Sequence, residues 1–298
     1  MRVFLFTAFA LIAFAFNSIL CRLALRGEEA DAAGFTAVRL VSGAVALVLI
    51  SWLVRRGRNL SGSEGALQNQ DQSGTLPTGR VSAFGSWASA FFLFAYAVCF
   101  SFAYLGLTAG TGALILFGSV QMTMVAVAIF QGERPTVLES VGLVIAVGGL
   151  VYLVLPGLAS PPLISSMLMA AAGAAWGFYT LRGKGSSDPL ADTTGNFVRS
   201  LPMAALIAII YLPNLHLTTR GIVLALISGA VTSGVGYTVW YAALKFHTST
   251  RAAVLQLAVP VIAAAAGVLL LDETATVRLA IAAALILGGI LLTIFSKK

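Results

Sequence analysis

Few side chains in this sequence are equipped for chemistry, and those few suit binding better than bond-making. Asn17 with its neighbour Ser18, Gln121 and Gln256 are uncharged polar groups set inside long apolar runs. In hydrocarbon such groups need partners, which either a zwitterionic solute or a neighbouring helix can supply. Gln121 is the most central in its run and the first candidate for substrate contact. Aromatic residues recur at helical spacing. Tyr96, Phe100 and Tyr104 lie four apart and share one helix face. Tyr237, Trp240 and Tyr241 make a second face, and Trp176 with Tyr179 a third. Aromatic walls with polar tips suit a pocket for an amphiphilic small molecule, with Tyr96, Trp176, Tyr179, Tyr237 and Trp240 as lining. Tyr104 and Tyr241, at the ends of their runs, suit an interfacial belt.

Two charges also fall inside apolar runs, Arg39 and Arg199, each four or five residues deep. A charge at the bilayer centre costs about 2.5–3.5 kcal/mol on insertion scales and reads as functional by default. At this depth an arginine can instead snorkel to the interface and bond helix-end carbonyls. The two readings are a gate or substrate contact and a structural charge.

Other chemistries find no support. Cys21 and Cys99 lie in apolar runs without a CxxC, and His216 and His247 lie in loops far apart, so no metal site, cofactor or catalytic set is expected. No acidic residue lies deep in a run; Glu139 comes closest, near a helix end. A proton relay through a buried carboxylate is therefore not expected, nor is an enzyme.

The elements that must carry these residues are membrane helices. Apolar residues make up 59% of the 298 and charged residues 10%, with a mean hydropathy of +0.95. Soluble domains run at roughly 45–50% and 25%. The apolar runs are 3–21, 35–54, 84–106, 109–131, 136–156, 163–181, 196–213, 221–244, 251–271 and 278–295. They are continuous rather than alternating, so they predict ten transmembrane helices and no β-barrel. The first run follows Arg2 as a signal peptide would, but it is too long for one and reads as a retained helix. Residues 55–83, rich in Gly, Ser and Gln, read as a mobile loop.

The net charge of +7 does not signal nucleic acid, because the basic residues sit at helix ends rather than in one stripe. They instead set the topology. Arg2, Arg55, Arg56, Arg58, Arg80, Arg134, Arg182, Lys184, Lys245, Arg251, Lys297 and Lys298 fall on the side of the termini, and Arg22, Arg26, Arg220 and Arg278 on the other. Twelve against four places both termini in the cytoplasm of a bacterial inner membrane.

The two halves repeat. At an offset of 160, Phe16 meets Trp176, Arg22 meets Arg182, and Arg39 meets Arg199. Phe100 meets Tyr237 and Tyr104 meets Tyr241 at 137; Ala113 meets Ala253 and Glu133 meets Glu273 at 140. Five spans per repeat is an odd number, so the second repeat enters the membrane from the opposite side. Inverted repeats of this kind are common in secondary transporters, with the site between them near the midplane. The units are 1–160 and 161–298, with Pro161-Pro162 between them.

Several short motifs recur in order along nearly the whole chain. They are Phe35-Thr36-Ala37-Val38-Arg39-Leu40, Ala174-Ala175-Trp176-Gly177-Phe178-Tyr179, Tyr241-Ala242-Ala243-Leu244-Lys245, and Pro260. To these add the turns Gly132-Glu133-Arg134-Pro135-Thr136 and Asp272-Glu273-Thr274-Ala275-Thr276. In this order they resemble the drug/metabolite transporter superfamily, of the EamA type with ten spans. The sequence departs from that pattern at Phe16-Asn17-Ser18, where Trp-Gly is usual, and at Val120-Gln121, where a proline is expected. The resemblance implies a carrier for small organic metabolites, often amino acids, and often an exporter. A monomer within the lipid bilayer is expected, moving its solute by alternating access or facilitated diffusion. A lipid translocator and a membrane-embedded enzyme or sensor are the alternatives.

Overall fold

The computed structural model describes residues 2–66, 85–132, 136–157, 160–183, 186–244, 246 and 255–295. The backbone runs as α1 (Arg2–Arg26), α2 (Ala32–Ala66), α3 (Trp87–Ala103), α4 (Ala109–Phe130), α5 (Val137–Val154), α6 (Leu163–Gly183) and α7 (Pro189–Ile210). A rod follows, made of α8 (Thr219–Ile227), a π-helical stretch (Ser228–Val235) and α9 (Gly236–Leu244). Then come α10 (Ala258–Leu271) and α11 (Val277–Phe295). Seven helices are long and apolar enough to cross a membrane, and three shorter apolar helices lie at Trp87–Ala103, Ala258–Leu271 and Val277–Thr293. Helix is the form that satisfies every backbone group within its own segment, as a bilayer demands. The outer faces carry the matching signature: Phe4, Val45, Trp52, Phe130, Val144, Ile164 and Leu269 point outward. This is an all-helical, multi-pass membrane protein.

Side chains set several helix starts. Thr136 accepts from Glu139 N at 3.2 Å while Glu139 Oε2 accepts from Thr136 N at 2.6 Å, a reciprocal box that opens α5. Asp188 accepts from Ala191 N at 3.1 Å and Pro189 takes the first helical position of α7. That helix therefore begins before the run expected at 196–213. Hydropathy alone misses its first turns because Thr193 and Thr194 are polar yet buried against neighbours. The expected loop at 55–83 also needs correction: α2 continues through residues 55–66. The rest of that expected loop, with His247 and Glu133, lies outside the described residues.

Small residues let the helices touch. α5 and α11 form a close pair in which a Cβ on Gly289 would fall 2.5 Å from Gly142 O, and one on Gly142 would fall 2.6 Å from Gly289 O. Without a hydrophobic drive between helices, such backbone contact is a main source of association in lipid. α6 meets α4 the same way, with Gly173 against Leu116 O at 2.6 Å for the added Cβ.

The connections gather at two ends. At one end, Asp31 N donates to His216 O and His216 N to Asp31 Oδ2, both at 2.8 Å, and Ala30 pairs with Leu217. At the same end Arg22 Nε bonds Glu273 Oε1 at 3.3 Å and Arg22 Nη1 bonds Tyr104 O at 2.9 Å. Glu273 Oε2 accepts from Ala109 N, at the start of α4, at 2.8 Å. Arg26 donates to Leu271 O, and Arg278 to Tyr152 O at 2.8 Å. At the other end, Arg182 Nε donates to Ser89 Oγ at 3.2 Å and Ser86 N to Asn196 Oδ1 at 2.9 Å. Gly85 N donates to Asp192 Oδ1 at 3.1 Å. Connections after α1, α3, α5, α7 and α10 thus meet at one end, and those after α2 and α6 at the opposite end.

Gly288, beside Gly289, has open space where a Cβ would go. Gly289→Ala should lower the unfolding temperature of the detergent-purified protein, with an overpacking cost of about 1–3 kcal/mol. Gly288→Ala should leave it unchanged or slightly raised, since alanine is the better helix former.

Candidate functional site

The chemistry-bearing side chains converge where α1, α3, α4, α6 and α9 meet. Phe14, Asn17, Tyr96, Phe100, Leu116, Phe117, Trp176 and Tyr237 line a central cavity of about 20 Å³. That volume holds about one water, whereas small-molecule sites span roughly 300–1,000 Å³. The rings close on one another: Tyr96 and Trp176 have centroids 4.9 Å apart, Trp176 and Tyr237 5.0 Å, and Phe14 and Tyr237 5.7 Å. In this conformation the site is collapsed around its own aromatics.

Of the residues singled out from the sequence, Asn17, Tyr96, Trp176 and Tyr237 lie in the lining. Tyr179 and Trp240 stand one layer behind, Tyr179 against Trp176 at 5.3 Å and Trp240 against Phe14 at 5.7 Å. Gln121 is buried but not in the lining; it sits one turn along α4 from Phe117 and makes no side-chain hydrogen bond among the described residues. Gln256 is half-buried and also outside the lining. Tyr104 does not face outward as a residue of an interfacial belt would. It is fully buried, and its ring fills the space beside Gly112, where a Cβ would come within 2.5 Å of it. The side chain of Tyr241 lies outside the described residues.

Sequence spacing did not single out Phe14, Leu116 or Phe117, nor the polar partners of Asn17. Asn17 Oδ1 accepts from Ser228 Oγ at 2.8 Å and from Thr232 Oγ1 at 2.6 Å, and Asn17 Nδ2 donates to Ser233 Oγ at 3.4 Å. All three partners lie on the π-helical stretch. The wider turn brings residues four and five apart onto one face, so three hydroxyls aim at one amide. Such stretches often mark functional positions in helices. A run of Ser and Thr at 228, 232 and 233 within an apolar segment is the signal that was available.

The two arginines matched by the repeat have different surroundings. Arg199 is half-buried and donates to Gly195 O of its own helix at 3.3 Å. Arg39 is only 2% exposed, so it does not snorkel. Its Nη2 donates to Tyr96 Oη at 3.1 Å and its Nε to Ser233 Oγ at 3.4 Å. Its guanidinium carbon lies 5.3 Å from the Tyr96 ring centroid and 4.9 Å from that of Phe100. Nη1 is the one fully buried side-chain nitrogen or oxygen without a partner among the described residues. Among the described residues, these partners of Arg39 are all neutral. A ring face returns roughly 2 kcal/mol to a desolvated cation, against several kcal/mol for burying an unpaired ion.

Among the described residues no group of three His, Cys, Asp or Glu side chains is placed to hold a metal ion. The arrangement offers hydrogen bonds, ring faces and one cation, which is the equipment of a binding site. Asn17→Ala should leave the buried Ser228 hydroxyl without its acceptor, with Thr232 keeping its bond to Ser228 O and Ser233 its bond to Arg39, and lower stability by about 1–3 kcal/mol, seen as a reduced unfolding temperature. Gln121→Leu, which breaks no hydrogen bond, should leave that temperature unchanged.

Comparison with known proteins agrees with this picture. An uncharacterized protein of Pseudomonas aeruginosa is 45% identical over 98% of this chain and 94% of its own length. A protein of Archaeoglobus fulgidus described as an uncharacterized transporter is 30% identical over 63% of this chain and 68% of its own. A solved crystal structure shares the fold at a TM-score of 0.60 and 16% identity, covering 98% of this chain and 96% of that one. The profile of the EamA-like transporter family matches residues 163–295, the half that contributes Trp176, Tyr237 and the π-helical stretch. The chain belongs to the EamA-like transporters of the drug/metabolite transporter superfamily.

Proposed function

We propose that this protein is a secondary transporter that moves a small organic metabolite, an amino acid or a similar amphiphilic solute, by alternating access. The observation that carries the reading is the central cavity. Its walls come from α1, α3 and α4 of the first half and from α6 and α9 of the second, and it holds no more than about one water. A solute fits only if the halves part, and parting toward one face while the other stays closed is alternating access.

The helix pairing supports two inverted units, 1–160 and 161–298, with ten spans between them. Exchange α1 with α6, α2 with α7, α3 with the α8–π–α9 rod, α4 with α10, and α5 with α11. The main contacts then map onto one another. α3 on α6 becomes the rod on α1, α4 on α6 becomes α10 on α1, and α2 on the rod becomes α7 on α3. The pairs α2–α7, α4–α10 and α5–α11 map onto themselves. Two units of one packing and opposite orientation give an inward-open and an outward-open state of similar energy.

Both termini belong in the cytoplasm and the protein in a bacterial inner membrane, on the twelve-to-four split of Lys and Arg. The Arg22–Glu273–Tyr104 cluster then closes the external side. The acidic residues Glu139 and Glu273 sit at helix ends rather than at mid-membrane. This favours facilitated diffusion or exchange without a central carboxylate relay, and the family resemblance adds export as the direction. The protein acts as a carrier and not as an enzyme, and one chain carries both halves of the site, so a monomer suffices.

Counterflow in proteoliposomes across a panel of amino acids and related metabolites tests this. Wild type should show saturable exchange of at least one solute. Leu116→Trp, which fills the cavity, should reduce exchange to that of protein-free liposomes while the protein stays monodisperse. A folded wild type that moves no solute, or a filled cavity that leaves flux intact, would refute the reading.

A further inference from the structure

We infer that Arg39 is the anion anchor of the central site, so that the solute carries a carboxylate on a body that lies against the rings of Tyr96, Phe100, Trp176 and Tyr237. The inference rests on the transporter reading and names the substrate class.

Three observations converge on Arg39. First, Nη1 is fully buried and unpartnered among the described residues, although it can donate two hydrogen bonds. Second, the charge has no counter-ion among the described residues. The ion pairs Arg22–Glu273 and Arg220–Glu29 lie elsewhere. The partners of Arg39 are a serine, a tyrosine hydroxyl and two ring faces. Third, these partners are continuous with the cavity. Tyr96 and Phe100 form part of its lining, and Ser233 is shared with Asn17, which also lines it. When the rings of Tyr96 and Trp176 separate to admit a solute, Arg39 becomes part of the wall.

A purely structural role does not explain the charge. Neutral hydrogen-bonding or apolar groups fill such a position without burying an ion, and a buried ion is a weak source of stability because its desolvation offsets what its contacts return. A ligand that brings the missing negative charge explains both the vacant donor and the absent counter-ion. A planar carboxylate matches a guanidinium edge. The nearby hydroxyls of Tyr96, Tyr237 and Ser233 can satisfy its remaining lone pairs. One arginine neutralises a monoanion, whereas a phosphate monoester dianion would keep a buried charge. A carboxylate is therefore favoured over a phosphate.

The test uses purified full-length protein in detergent or nanodiscs with four probes: propionate, 3-phenylpropionate, its neutral isostere 3-phenylpropionamide, and phenyl phosphate. Binding is read by calorimetry and by the shift in unfolding temperature. The carboxylates should bind and stabilise, with 3-phenylpropionate tighter than propionate, and the amide should bind roughly 10- to 100-fold more weakly. Arg39→Gln should lose that preference. Arg39→Lys should keep binding at reduced affinity. Unliganded Arg39→Met should unfold at the same or a higher temperature than wild type.

Equal binding of carboxylate and amide, no stabilisation by either carboxylate, or an unchanged preference in Arg39→Gln overturns the assignment. Tighter binding of phenyl phosphate overturns the choice of carboxylate. A steep fall in the unfolding temperature of unliganded Arg39→Met assigns Arg39 to the scaffold instead. The comparison of carboxylate with amide needs no variant, so it stands even where a substitution fails to fold. These results are separate from the flux assay. A protein that exchanges neutral solutes and ignores carboxylates is still a transporter, with the anion assignment alone refuted.

Discussion

Inside a bilayer, a polar group without a partner in the protein has no water to turn to. That constraint runs through the whole molecule. It forces the backbone into helices, whose ladders close within each segment. It draws the polar side chains of the interior into a cluster around Asn17, where Ser228, Thr232 and Ser233 satisfy one amide. It also gives the unpartnered nitrogen of Arg39 its meaning, because an orphaned cation in the protein interior is expensive.

The same constraint shapes how the helices hold together. Lipid chains are as apolar as leucine, so burial alone cannot drive helix against helix. Glycine lets α5 meet α11 and α4 meet α6 with backbone against backbone. Polar clusters tie the ends: Arg22, Glu273 and the turn at Tyr104–Ala109 on one side, and Arg182, Ser86, Ser89 and Asn196 on the other. Between these layers the aromatic residues have closed on themselves. The interior is built of tied ends around a centre of tilted and edge-on rings.

Much of the site was legible in the sequence because helical periodicity reports which side chains share a face. Asn17, Tyr96, Trp176 and Tyr237 do line the cavity. Gln121 shows what periodicity leaves open. A residue's depth along a helix says how far it is from water, but not which neighbour it faces, and Gln121 lies a turn away from the lining residue Phe117. Tyr104 shows the converse. Position at a helix end suggested the membrane interface, yet the adjacent Gly112 leaves a slot that the ring fills. The widened turn of the π-helical stretch leaves no mark in hydropathy, and only the Ser and Thr residues at 228, 232 and 233 point to it.

The sequence by itself determined that this is an all-helical membrane protein of the EamA-like transporters. Hydropathy and ordered motifs are properties of local segments, and each segment must satisfy its own backbone. The tertiary structure decided which of two matched arginines is buried among rings. It also decided that the hydroxyls of 228, 232 and 233 meet Asn17, more than two hundred positions away in the chain, and that the centre is closed. These depend on helix rotation and on contacts between distant segments. They are set by packing at glycine crossings and by the register of a widened helical turn, neither of which is encoded within a single run of residues.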